Sequence, residues 1–158
     1  MKVSVFFVTL LALAIALCLL ANAEPVKTAK CLSDEICAAI PTEFGYVDNT
    51  SYALANDFSS LNCVGDVCVV VCAESTNFNE IGVFYVNDPS DVKACANFLQ
   101  RYLRERKHRF ENGVIYDVKE YPKFENATVT VSDHYVVYTI LDRESTFVVK
   151  DILKNNLK

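Results

Sequence analysis

Residues 62–72 read NCVGDVCVVVC and place Cys63, Cys68 and Cys72 within ten positions. Thiols at that density could hold a metal, exchange electrons, or cross-link a buried strand. Zinc sites use C-x2-C or C-x4-C pairs with a second pair of ligands at a distance. Here the gaps are four and three residues, no histidine is near, and Cys68 and Cys72 bracket three valines. No C-x-x-C exists, so a thioredoxin-type site lacks its motif. The chain has seven cysteines, and Cys18 stands inside an apolar N-terminal run. The remaining six, Cys31, Cys37, Cys63, Cys68, Cys72 and Cys95, are an even set that leaves no thiol over for catalysis. They read as a disulfide framework, with 15 connectivities open to it. A turn at Gly65-Asp66 would set Cys63 opposite Cys68, within the reach of a disulfide. Cys68 and Cys72 lie ~13 Å apart on one strand and cannot join each other. Cys72 then seeks Cys95 on the following helix and leaves Cys31 with Cys37; swapped pairings stay open.

Other side chains with chemical potential are sparse. RYLRERKHRF carries Arg101, Arg104, Arg106, Lys107 and Arg109 against Glu105. Cations at a helix C-terminus complement its dipole and keep that face solvated. The functional alternative is a dock for an acidic protein or a polyanionic glycan. His108 lies in that run and His134 in an expected turn, and acid–base work by either needs an orienting carboxylate and a pocket. Asp117, Glu120 and Glu125 lack EF-hand spacing and read as a solvated loop. Tyr116, Tyr121 and Phe124 occupy the connection after the basic run, where aromatics either plug a core edge or form a contact surface. No G-x-S-x-G, H-E-x-x-H, phosphate loop or dinucleotide fingerprint occurs, and four glycines leave little for a phosphate cradle. No cofactor is expected.

The elements that must position these groups follow from periodicity. Ser33 with Asp34 and Glu35 starts a helix that Pro41 ends. Residues 51–60 suit a second short helix. VCVVVCA at 67–73 and IGVFYV at 81–86 are β-branched apolar runs that suit central strands buried on both faces. Asp88-Pro89-Ser90-Asp91 opens a long helix, with Val92, Cys95, Ala96, Leu99, Tyr102 and Leu103 on one stripe, and Asn112-Gly113 stops it. ATVTV and YVVYTIL flank a turn at Ser132-Asp133. Asp142 then starts a closing helix that turns Phe147, Val149, Ile152, Leu153 and Leu157 inward. The expectation is one α+β domain over residues 31–158, with a mainly antiparallel sheet of about four strands, packed by helices and stapled by disulfides.

The N-terminus bears on compartment. Lys2, an apolar run and Ala21-Asn22-Ala23 are the parts of a secretory signal peptide over residues 1–23, with 24–30 as a loose leader. An uncleaved anchor and a lipidated Cys18 are the rival readings, and Leu17 before Cys18 disfavours the second. Removing Lys2 leaves 14 basic residues against 20 acidic, a net charge near −6. An acidic chain of this kind is not an obvious nucleic-acid or anionic-membrane binder. Asn49-Thr50-Ser51 and Asn126-Ala127-Thr128 are glycosylation sequons, meaningful only in a eukaryotic host.

Glu80-Ile81-Gly82-Val83-Phe84, the helix after it, Tyr116 before an acidic patch, Asn126-Ala127-x-Val129, Tyr135-Val136-Val137 and a closing helix form a recognisable series. Over about residues 60–157 it resembles domain-of-unknown-function family 4358, found largely in secreted and lipid-anchored proteins of Gram-positive bacteria. The resemblance implies an exported domain and brings no assigned activity. The chain departs from that family in lacking a convincing lipid-anchoring box and in its wealth of cysteine. The resulting expectation is a secreted, extracellular, non-enzymatic domain that binds a protein or glycan partner, with no nucleic acid and no membrane once the signal is removed. A small secreted hydrolase and a secreted enzyme inhibitor are the alternatives.

Overall fold

The computed structural model describes residues 27–113 and 117–156. The expected signal peptide, residues 24–26 of the leader, Tyr116 and Leu157 lie outside the described residues. Along the chain come α1 (Ala29–Ala39), β1 (Tyr46–Asp48), α2 (Thr50–Asn56), β2 (Val64–Cys72) and β3 (Glu80–Val86). A 3-10 turn (Pro89–Asp91) then leads into α3 (Val92–Glu111), α4 (Tyr121–Glu125), β4 (Thr128–Ser132), β5 (Tyr135–Ile140) and α5 (Arg143–Asn156). The strands form one sheet in the order β1-β2-β3-β5-β4, with every neighbouring pair antiparallel. The α+β plan stands, with five strands rather than about four. The missed strand, β1, is three residues long and packs only on the edge of β2, too short for alternation to reveal.

β3 and β5 run through the middle and are buried on both faces, as their continuous apolar sequences require. Successive side chains alternate between two cores. Cys68, Val70, Ile81, Val83, Tyr135 and Val137 pack with Leu32 and Ile36 of α1 and with Val149 and Leu153 of α5. Val69, Phe84, Val86, Val136, Tyr138 and Ile140 pack on the other side with Ala53 of α2, Leu99, Tyr102 and Leu103 of α3, and Phe124 of α4. The molecule is therefore three layers, with α1 and α5 on one face of the sheet and α2, α3 and α4 on the other.

Several local expectations give way to tertiary contacts. The loose leader does not extend to residue 30. Thr28 Oγ1 accepts the Cys31 amide at 3.1 Å, Asp66 Oδ2 accepts the Ala29 amide at 2.7 Å, and Ala29 is buried. Thr28 thus caps α1, and Ser33 lies inside it, fully buried. Gly65-Asp66 makes no turn. The pair sits within β2 at an irregularity opposite β3, where a Cβ on Gly65 would overlap the Asn87 side chain. In α5, Val149 and Leu153 point inward as expected, while Phe147 is 56% exposed.

The expected disulfide framework is absent: all six described cysteines are free thiols. The three pairings also fail on geometry. Cys63 stands just before β2 and Cys68 lies inside it, with Val64–Cys68 extended between them, so the two are separated by at least ~13 Å. Cys31 and Cys37 lie on one helix, separated by a rise of ~9 Å. Cys72 shares the phase of Cys68 on β2, toward α1, whereas Cys95 packs on the α3 side. A disulfide needs Cα atoms within ~4.4–6.8 Å, so none of the three can close.

Candidate functional site

α3 positions the charged side chains. Its apolar stripe faces the sheet and buries Cys95, Ala96, Leu99, Tyr102, Leu103 and Phe110. That orientation turns Arg101, Arg104, Glu105, His108 and Arg109 outward along the opposite stripe. Asn56, Asp57 and Ser60, at the end of α2 and just beyond, face this stripe across a cleft of about 890 Å³, with Phe98 and Tyr102 also lining it.

The basic run divides among three environments. Arg101 stacks over Phe98, with its guanidinium 5.6 Å from the ring centroid. Arg101 and Arg104 have no carboxylate partner among the described residues, and Arg109 reaches Asp57 at 3.5 Å. Lys107 turns away from the cleft. It lies 5.1 Å from the centre of the Tyr121 ring and 3.9 Å from Glu111. Arg106 turns inward, with 28% of its side chain still exposed, and pairs with Glu80 at 2.7 Å. Phe124 is no contact residue either: it is buried and stacks on Phe110 at 4.3 Å, plugging the core edge.

Glu80 is the centre of a network behind the cleft. It is the first residue of β3 and only 3% exposed. Its Oε1 accepts the Tyr102 hydroxyl at 2.5 Å and the Tyr138 hydroxyl at 2.7 Å, while Oε2 accepts Arg106. Tyr138 reaches it by lying across Gly82, its partner in the β3–β5 ladder. Burial first, and the Glu80 charge second, push both tyrosines well above their ordinary range. Burial works against the charge on Arg106, but Glu80 outweighs it and the guanidinium is held charged more firmly than usual. The tyrosines are fixed as donors to Glu80, so the network clamps β3 to α3.

The sign of those shifts sets a pH dependence. A group whose pKa is higher folded than unfolded stabilises fully below the unfolded value, ~10 for tyrosine, and loses that contribution as pH rises. Unfolding free energy measured in urea is expected to start falling near pH 9, where the raised Cys37 and Cys95 thiols ionise in the unfolded chain, and to fall faster above about pH 10 as the tyrosines join, that second part being less steep in Tyr138→Phe. An identical profile in wild type and Tyr138→Phe would remove this tyrosine from the explanation.

The histidines do not meet. His108 Nδ1 lies 3.1 Å from the Asn112 amide, and His134 Nδ1 lies 2.8 Å from the Val86 carbonyl, its ring stacked on Tyr85. Burial pushes the Cys37 thiol up to about 11, which keeps it protonated and a poor nucleophile. In the acidic connection, Glu120 Oε2 accepts the Phe78 amide and Lys123, and Asp117 Oδ1 accepts the Lys119 amide. Among the described residues no three His, Cys, Asp or Glu side chains gather as a metal site. Asn49 and Asn126 are partly exposed, and the Asn126 amide donates to the Pro122 carbonyl at 2.7 Å.

A family model described as a domain of unknown function, DUF4358, matches residues 60–141, just over half of the 158. The chain belongs to this family. No curated protein and no solved structure matches it. The DUF4358 match takes in β2, β3, α3, α4, β4 and β5 and stops short of α5, where the resemblance had been expected to run on. It contains Glu80, Gly82, Tyr102, Arg106 and Tyr138, and so the whole clamp. The Arg wall of the cleft lies inside the DUF4358 segment, while Asn56 and Asp57 of the facing wall lie before it.

Sequence reasoning missed Tyr102, Glu80 and the facing wall as parts of a site. The i, i+3, i+4, i+7 spacing of residues 101, 104, 105 and 108 was a legible signal that these share one helical face. A lone glutamate opening an apolar strand run was another. Asn56, Asp57 and Ser60 carried no signal, because only folding brings them to α3.

Proposed function

We propose that this chain is an exported, non-enzymatic binding domain that holds an acidic extracellular partner, protein or glycan, in the cleft between α2 and α3. The observation that carries the reading is the α3 wall, where Arg101 and Arg104 stand beside Phe98 with no carboxylate partner among the described residues. Guanidinium groups recognise carboxylate and sulfate through forked hydrogen bonds, and an aromatic ring offers a stacking face for a sugar. The excess of acidic residues, 20 against 15, opposes long nucleic acids and confines anion attraction to this local patch. Export is supported by the N-terminal pattern of Lys2, apolar run and Ala21-Asn22-Ala23. A hydrolase has less support, since neither histidine is hydrogen-bonded to a carboxylate.

Calorimetric titration with polyglutamate and with polygalacturonate at low salt tests this. Saturable binding to at least one is expected, weakening as salt is raised. Arg101→Glu with Arg104→Glu should reduce affinity at least about tenfold, given up to ~1 kcal/mol for each exposed pair. No saturation with either polymer, or unchanged affinity in the double variant, rejects the cleft.

A further inference from the structure

The sheet sorts the cysteines by face. Cys95 is fully buried in the first turn of α3, on the side packed against the sheet, and Cys63 packs against the same core. Cys37 and Cys68 belong to the core on the opposite face, Cys72 follows the phase of Cys68, and Cys31 lies on α1. A covalent bond through the middle of a hydrogen-bonded sheet is not possible, so Cys95 has one available partner among the described cysteines. Backbone geometry brings that partner close. The Cys63 carbonyl accepts the Asn87 amide at 3.3 Å, and Asn87 lies just before the turn that delivers α3. Cys63 is also the ionisable neighbour that Cys95 senses, both as a charge and through thiol–thiol contact.

We propose that Cys63 and Cys95 form a disulfide that ties the start of β2 to the first turn of α3. The oxidant is a low-molecular-weight disulfide. Cys63 is half-buried and reachable, whereas burial pushes the Cys95 thiol up to about 12, so the exchange starts at Cys63. The Cys63 thiolate attacks one sulfur of the oxidant, forming a mixed disulfide and expelling a thiolate. Cys95 then gives up its proton and attacks the Cys63 sulfur, expelling the second thiolate. Two protein S–H bonds are lost and one S–S bond forms. The external disulfide takes up two electrons and both protons and leaves as two thiols. The cross-link closes a loop of 33 residues and fixes the base of the helix that forms the arginine wall.

The test is peptide mapping of the purified chain equilibrated in oxidised and reduced glutathione, alkylated, and digested without reductant. A linked peptide pair carrying Cys63 and Cys95 is expected. The oxidised protein should melt about 10 °C above the reduced one, as a loop of this length implies. Cys63→Ala, chosen because that site is only half-buried, should abolish both the link and the difference. Alkylation of both residues under oxidising conditions, or a link from either to any other cysteine, overturns the proposal. The mapping decides on wild-type protein alone, whether or not the variant folds.

Discussion

Glu80→Leu is expected to cost at least about 4 kcal/mol of unfolding free energy, measured by urea denaturation. The substitution leaves three donors without their acceptor. Arg106 becomes a charge with 28% side-chain exposure and no counter-ion, and breaking one side of such a pair costs ~3–5 kcal/mol. Tyr102 and Tyr138 lose the carboxylate oxygen they share, at ~1–3 kcal/mol for each stranded hydroxyl. A domain of this size has only ~5–15 kcal/mol in total, so the variant stands close to the unfolded state. Glu80→Gln should fall between the two, since an amide oxygen can still accept from the tyrosines while the charge is gone. Removing the whole polar set (Glu80→Leu, Arg106→Leu, Tyr102→Phe and Tyr138→Phe together) should recover much of the loss, because the penalty belongs to unpaired groups. If Glu80→Leu unfolds within about 1 kcal/mol of wild type, the clamp contributes nothing beyond an ordinary surface contact.

Gly82→Ala is the second large effect. A Cβ at residue 82 would lie 2.0 Å from Tyr138 Cε1 and 2.7 Å from Cδ1 and Cζ, so the ring must move. It has nowhere to go. Phe84 and Phe58 lie with ring centroids at 6.0 Å, and Tyr102 at 5.3 Å. Overpacking of a filled core costs ~1–3 kcal/mol, and a displaced Tyr138 also forfeits its hydrogen bond to Glu80, for a total of about 3 kcal/mol. The diagnostic is coupling. In a Tyr138→Ala background, the same Gly82→Ala change should be close to neutral, because the atom it would strike is absent. Equal costs in the two backgrounds would show that strand propensity, not the ring, sets the requirement for glycine.

These two variants also show where sequence reasoning ran out. IGVFYV was legible as a buried strand, and Asp88-Pro89 as a helix start, because both rest on local rules that neighbours in the chain satisfy: β-branched runs, and a side-chain cap followed by proline. The stripe on α3 was legible for the same reason. The basic run was seen, but it was read as one patch. A helix rotates ~100° per residue, so Arg106 stands ~200° from Arg104 and turns to Glu80 beside the core, while Lys107 leans to Tyr121. The disulfide pairings failed because they assumed a turn at Gly65-Asp66, which β2 spans instead, and because they ignored the two faces of the sheet.

The sequence by itself determined the class of the fold, the central strands, the long helix with its inner and outer faces, and the family. The fold class, the strands and the helix follow from composition and from periods of about two or 3.6 residues, which act within one segment; the family was legible as a resemblance carried by stretches such as Glu80-Ile81-Gly82-Val83-Phe84 and Tyr135-Val136-Val137. Only the tertiary structure decided that Glu80 is a buried anion held by two tyrosines and an arginine, that Asn56, Asp57 and Ser60 face the arginine wall, and which cysteines share a side of the sheet. Those relations join residues 20 to 60 positions apart, and side-chain pattern carries no information on such distances until strand order and register are set.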